Sequence, residues 1–170
     1  HGGQELNLTG DIPMEDLDAL QEQLEKQRYT PERVAAIAAY CARVRAATDR
    51  AILFNGLSVG LGFRGGMANF SILCMTEPAY IHRLHRILLD HFHFQLEQLL
   101  PAISPYIDIV MLSADDQGTQ ASTILPPRLF RELFMPYYQE ANQAIHRLAP
   151  GVKTFLHCCG AVYDILDAIR

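Results

Sequence analysis

Three short, largely apolar runs punctuate the chain, separated by longer stretches in which apolar residues recur at helical spacing. Ala51 to Phe54, Ile107 to Leu112 and Val152 to Leu156 are those runs. Each is too short for a buried helix and has the character of a buried strand. Before them, Met14 to Lys26 reads as a polar, exposed helix. Thr30 then supplies an N-cap and Pro31 a first helical position, ahead of a stripe formed by Val34, Ile37, Ala38, Cys41 and Val44. Pro78 to Leu100 predicts a long helix that buries Ile81, Leu84, Leu88, Phe92 and Leu99. Pro127 opens another helix, running to about Leu148 with a kink at Pro136, and a last helix follows Gly160. Phe54 leads into Asn55-Gly56 and a glycine-rich loop through Gly60, Gly62, Gly65 and Gly66, while Ser113 to Thr123 is a polar loop.

Strands alternating with long helices imply βαβ units, hence an α/β chain with a parallel sheet covered on both faces. The sequence shows no repeat and no linker, so residues 1–170 read as one domain, helical over the first 50. Three strands cannot close an eight-stranded barrel, which takes about 250 residues. The expectation is therefore an incomplete portion of a larger α/β unit. Its outermost strand would lack a neighbour, which predicts self-association.

Composition narrows the function classes. Fourteen basic against nineteen acidic residues leave no basic stripe, which argues against nucleic acid. No apolar run approaches the roughly 20 residues of a bilayer span, and the amino terminus lacks a signal-peptide pattern. Four cysteines are too few for a disulfide scaffold, which points to a reducing cytoplasm.

Candidate chemistry lies behind the three strands. In a parallel sheet the loops after them share one rim, bringing together Asn55, Asp115-Asp116 and His157-Cys158-Cys159. Strand alternation sends His157 and Cys159 to one side and Leu156 and Cys158 to the other. An imidazole and a thiolate on one face are two ligands of a tetrahedral zinc site, for which a third is wanted. Cys158 points the wrong way and Cys74 reads as helical and packed, which leaves Asp116 as a possible but difficult third ligand. Each residue also has a plainer reading: Asn55-Gly56 as a turn, the aspartates as caps, and His157 with Cys159 as a buried pair. His82, His85, His91 and His93 on the long helix flank its apolar stripe and read as solvated edge residues, not a metal cluster. Cys41 reads as core. The glycines do not form a dinucleotide-binding pattern. Arg64 in their loop could meet an anionic substrate.

Four segments in order resemble the uroporphyrinogen decarboxylase superfamily. They are Phe63-Arg64-Gly65-Gly66-Met67-Ala68-Asn69-Phe70, then Ala114-Asp115-Asp116-Gln117-Gly118-Thr119-Gln120. Ile124 to Glu132 with Pro136-Tyr137-Tyr138 follows, and Phe155 to Gly160 with Tyr163-Asp164 completes the series. The resemblance covers about Ala51 to Arg170 and implies a portion of a TIM-type barrel. The decarboxylases use no metal. A second branch, corrinoid-linked methyltransferases, binds zinc through His-x-Cys and a later cysteine, which here would fall beyond Arg170. That branch moves methyl from a methylcobamide, carried on a corrinoid protein, to a small thiol such as coenzyme M or to tetrahydrofolate. His157 and Cys159 fit it as metal ligands, with Asp116 or Asp115 and Asn55 orienting substrate or ligands. The resemblance thus implies that the parent protein is a zinc-dependent methyltransferase, with porphyrinogen decarboxylation as the enzymatic alternative, and that this chain, about half a family member, is inactive on its own. An inactive barrel fragment is the non-enzymatic alternative.

Overall fold

The computed structural model describes residues 12–169, so the first eleven residues of the predicted helical region lie outside the described part. Helix α1 (Leu17–Lys26) starts at Asp16, whose carboxylate accepts the Asp18 and Ala19 N–H groups. It is not exposed all round, because Leu17 and Leu20 are buried. Helix α2 (Pro31–Ala47) begins as the sequence predicts: the Thr30 hydroxyl accepts the Arg33 N–H at 3.3 Å, with Pro31 at the first position and Cys41 buried. Strand β1 (Leu53–Phe54) follows, then the glycine-rich loop.

That loop ends sooner than the glycines suggest, since α3 (Met67–Thr76) forms from an almost wholly apolar segment. Helix α4 (Pro78–Ile103) is the predicted long helix and the spine of the core. Strand β2 (Ile109–Ser113) comes next. The expected kinked helix is two helices, α5 (Pro127–Leu133) and α6 (Met135–Leu148), joined at Phe134. Pro136 accounts for the break. Its nitrogen cannot donate back to the preceding turn, but it is tolerated in the first turn of a new helix. Strand β3 (Lys153–Leu156) leads to a short 3-10 turn (Tyr163–Ile165) and α7 (Leu166–Ile169), in place of one continuous final helix.

The sheet is open and parallel, in the order β1-β2-β3. Its register pairs Leu53 with Ile109 and Met111 with Phe155, which places these four on one face. Val110 and Leu112 are buried on the other, where α6 packs against β2 and β3. Only one face is helix-covered among the described residues, contrary to the expectation of two. Leu53 and Phe155 remain 41 % exposed on the opposite face. Right-handed βαβ crossovers place successive helices on the same side, and in a closed barrel the bare face lines the interior. The architecture is that of a partial TIM-type barrel.

The long helix corrects one further expectation. His85 is not a solvated edge residue but completely buried. Its Nδ1–H donates to the Leu133 carbonyl at 2.8 Å, and the rings of Phe134 and Tyr137 meet it edge-on at 4.8 and 5.3 Å between centroids. His82 instead contacts the Tyr137 hydroxyl through Nδ1 at 2.8 Å. No helix among the described residues is long and apolar enough to cross a membrane.

Candidate metal centre at the carboxyl-end rim

Strand β3 delivers His157 and Cys159 to the rim because its register on β2 continues one residue past Leu156. The His157 N–H donates to the Ser113 carbonyl at 2.9 Å, fixing where the chain leaves the sheet. Two residues apart, His157 Nε2 and Cys159 Sγ stand 3.3 Å from one another. A carboxylate oxygen of Asp116 joins them, and the three donor atoms all lie within 4.8 Å of each other. All three residues are exposed.

The proximity of Asp116 is built by the two loops, not by the strands alone. The Cys159 N–H donates to Asp116 Oδ1 at 3.0 Å and the Ala161 N–H to the Thr119 carbonyl at 2.7 Å. The Gln117 N–H donates to Cys158 Sγ at 3.1 Å, so Cys158 faces away from the donor cluster and stitches the loops together. Glycines permit this approach. A Cβ on Gly160, whose φ is +87°, would lie 2.3 Å from the Gly118 carbonyl oxygen, and one on Gly118 would lie 2.8 Å from the Ala161 nitrogen.

Ordinary zinc–sulfur and zinc–nitrogen bonds at a tetrahedral angle separate the two ligand atoms by about 3.6 Å. The 3.3 Å between Cys159 Sγ and His157 Nε2 is close to that figure, and imidazole, thiolate and carboxylate are all zinc ligands. The donor set therefore fits the metal. The Asp116 carboxylate beside it raises the Cys159 thiol above its ordinary pKa. A dication between the two would reverse that effect, because it favours the thiolate and both anions at once.

The other predicted residues are not part of the cluster. Asp115, next to Asp116, is turned inward. Its Oδ2 accepts the Ser113 hydroxyl at 2.7 Å, the Tyr138 hydroxyl at 2.9 Å and the Leu61 N–H at 3.0 Å. Asn55 lies exposed behind β1, and no hydrogen bond joins it to the donor atoms. Arg64 is engaged elsewhere: Glu15 grips its guanidinium through two 2.6 Å hydrogen bonds, which raises the arginine's pKa and lowers the glutamate's. With Phe70, Leu73 and Tyr80 it lines a cavity of 460 Å³. Gly118, Gly160 and Tyr138 shape the site without standing out in the sequence as doing so. The glycines flanking the motif were the available signal.

Neither a curated protein nor a solved structure matches the chain. The family model described as uroporphyrinogen decarboxylase (URO-D) matches residues 14–170, which take in all of the rim and nearly all of the described fold. The chain belongs to the uroporphyrinogen decarboxylase family.

Proposed function

We propose that the protein acts in methyl transfer, moving a methyl group from a methylated corrinoid to a zinc-activated thiol or to tetrahydrofolate. The observation that carries this reading is the convergence of Asp116, His157 and Cys159 within 4.8 Å at the rim. A decarboxylase that works without metal has no need of a thiolate and an imidazole in contact.

His157 and Cys159 would hold the ion, with Asp116 as the third donor present in this chain, leaving a position open for an acceptor. Bound zinc would lower the pKa of an acceptor thiol and so keep it as a thiolate at neutral pH. The chain's own part is placement. The Asp116 carboxylate anchors the Cys159 backbone, and the close approach of Gly118 and Gly160, which a Cβ would block, holds the two loops together. Their exposure suits a methyl donor presented by a separate corrinoid protein. With a thiol as acceptor, a sulfur–carbon bond would form as the cobalt–carbon bond of the methyl donor breaks. The electron pair of that bond would stay with the donor's cobalt, and the thiol proton would pass to solvent.

The test is incubation with zinc, methylcobalamin and coenzyme M, with tetrahydrofolate in parallel. Cob(I)alamin should appear in the visible spectrum, at a rate that a chelator abolishes and zinc restores. A second reading, porphyrinogen decarboxylation, draws on the family match itself. Loss of carbon dioxide from uroporphyrinogen in metal-free buffer, with no methyl transfer to either acceptor, would establish it instead.

A further inference from the structure

The hydrogen bonds around Asp115 converge from three separate elements on one oxygen. Ser113 closes β2, Leu61 belongs to the glycine-rich loop, and Tyr138 stands on α6, buried. The Asp115 N–H returns a bond to the Ser113 hydroxyl oxygen at 3.2 Å. The loop packs so closely here that a Cβ on Gly62 would lie 2.6 Å from Asp115 Oδ1. Burial and the neighbouring Asp115 carboxylate hold the Tyr138 hydroxyl well above its ordinary pKa, so at neutral pH it stays a donor. The next residue is Asp116, whose Oδ1 receives the Cys159 N–H. With Asp115 clamped and Gln117 bonded to Cys158 Sγ, the Asp116 backbone is held from both sides.

We propose that Tyr138 is a positioning residue, which through Asp115 sets the Asp116 carboxylate against the Cys159 amide and beside the His157 and Cys159 donor atoms. Its consequence for metal affinity rests on the methyltransferase reading; its geometric content does not. A phenylalanine at this position keeps the ring in the core and removes only the hydroxyl. Asp115 then loses one of three donors, and the turn into Asp116 loosens.

The test is NMR-detected amide hydrogen exchange on metal-free protein, paired with zinc affinity from chelator competition. In Tyr138→Phe the Cys159 amide should exchange at least fivefold faster, while a core amide such as Leu96 stays within twofold. Zinc affinity should fall at least fivefold. Asp115→Asn, which keeps the shape but weakens the acceptor, should reproduce the local change. Unchanged exchange at Cys159 in both variants overturns the proposal. So does equal acceleration at Leu96, which would make the hydroxyl a general stabiliser. A wild-type protein that binds no zinc, combined with a freed Cys159 amide in Tyr138→Phe, would reject the metal reading and uphold the positioning role.

Discussion

At the amino-end rim of the sheet, Asp108 accepts the Ile52 N–H at 2.7 Å and pairs with Arg45, whose Nε also donates to the Tyr106 carbonyl. At the carboxyl-end rim, Asp116 faces an imidazole and a thiol, and among the described residues no lysine or arginine pairs with it. Both carboxylates flank the same strand, Asp108 one residue before β2 and Asp116 three residues after it. The first is neutralised by a cation of the chain, and its pKa is lowered by the Ile52 N–H and by Arg45. The second raises the pKa of its neighbour Cys159 and pairs with no lysine or arginine among the described residues. A fold does not need an unneutralised anion beside a cysteine. At the amino-end rim the chain pairs its carboxylate with its own arginine, whereas at the carboxyl-end rim the carboxylate stands beside an imidazole and a thiol, the arrangement on which the proposed metal site rests.

Acid gives the largest test, because it separates both rims from the helical layer. His85 is pushed down to about 4 by burial, from an ordinary 6.5. Its folded form binds the proton less well than the unfolded chain, so stability is full above 6.5 and falls as pH drops towards 4. The loss is about 3 kcal/mol once both forms are protonated. Asp108 works in the opposite range: its lowered pKa adds stability above the usual carboxylate pKa, lost only in stronger acid. Denaturant titrations between pH 7 and 4.5 should therefore show weakening that His85→Gln flattens and Asp108→Asn leaves in place. A slope untouched by His85→Gln would mean that another group governs it.

Exchanging the two carboxylates for amides comes next. Asp116→Asn should lower methyl transfer at least tenfold while stability moves by less than about 1 kcal/mol. Asp108→Asn should do the reverse, destabilising more than Asp116→Asn while zinc affinity stays within twofold. Activity per folded molecule that survives Asp116→Asn would turn that aspartate into a structural cap and erase the contrast between the rims.

Much of this was legible in the sequence. Thr30 and Pro31 announced α2 through capping chemistry, and β2 and β3 stood out as short, largely apolar runs too brief for a helix. Helix α3 did not stand out: Met67 to Thr76 is apolar on nearly every side and offers no stripe, and the glycines before it mask its start. His85 misled because a histidine beside an apolar stripe looks like its border, whereas three aromatic rings and the Leu133 carbonyl draw it inside. Strand alternation predicts His157 and Cys159 on one side; both lie just past the end of β3, with Nε2 and Sγ 3.3 Å apart. Asp116 stood open as a third donor in the sequence, but the geometry that brings it beside the pair could not be read, because it depends on two glycines meeting across loops 43 residues apart at the Asp116–Cys159 bond.

The smallest expected effect concerns Cys158. Its sulfur accepts the Gln117 N–H, and burial pushes its thiol up, so it belongs to the loop junction rather than to the donor set. Cys158→Ala should change zinc affinity by no more than about threefold, as expected for losing one weak hydrogen bond, and leave one metal per chain. A loss as large as that from Cys159→Ala would break the assignment of the two cysteines to opposite sides.

The most direct measurement is cobalt(II) titration of the metal-free protein, followed by absorption. Cobalt replaces zinc in such sites, and thiolate ligation produces a charge-transfer band in the near ultraviolet together with visible bands of tetrahedral geometry. The wild-type chain should show both at one equivalent. Cys159→Ser should abolish the charge-transfer band and weaken binding at least tenfold, and His157→Ala should weaken binding comparably. Cys158→Ala should preserve the spectrum. Absence of a thiolate band in the wild type, or its persistence in Cys159→Ser, would contradict a metal centre at Asp116, His157 and Cys159.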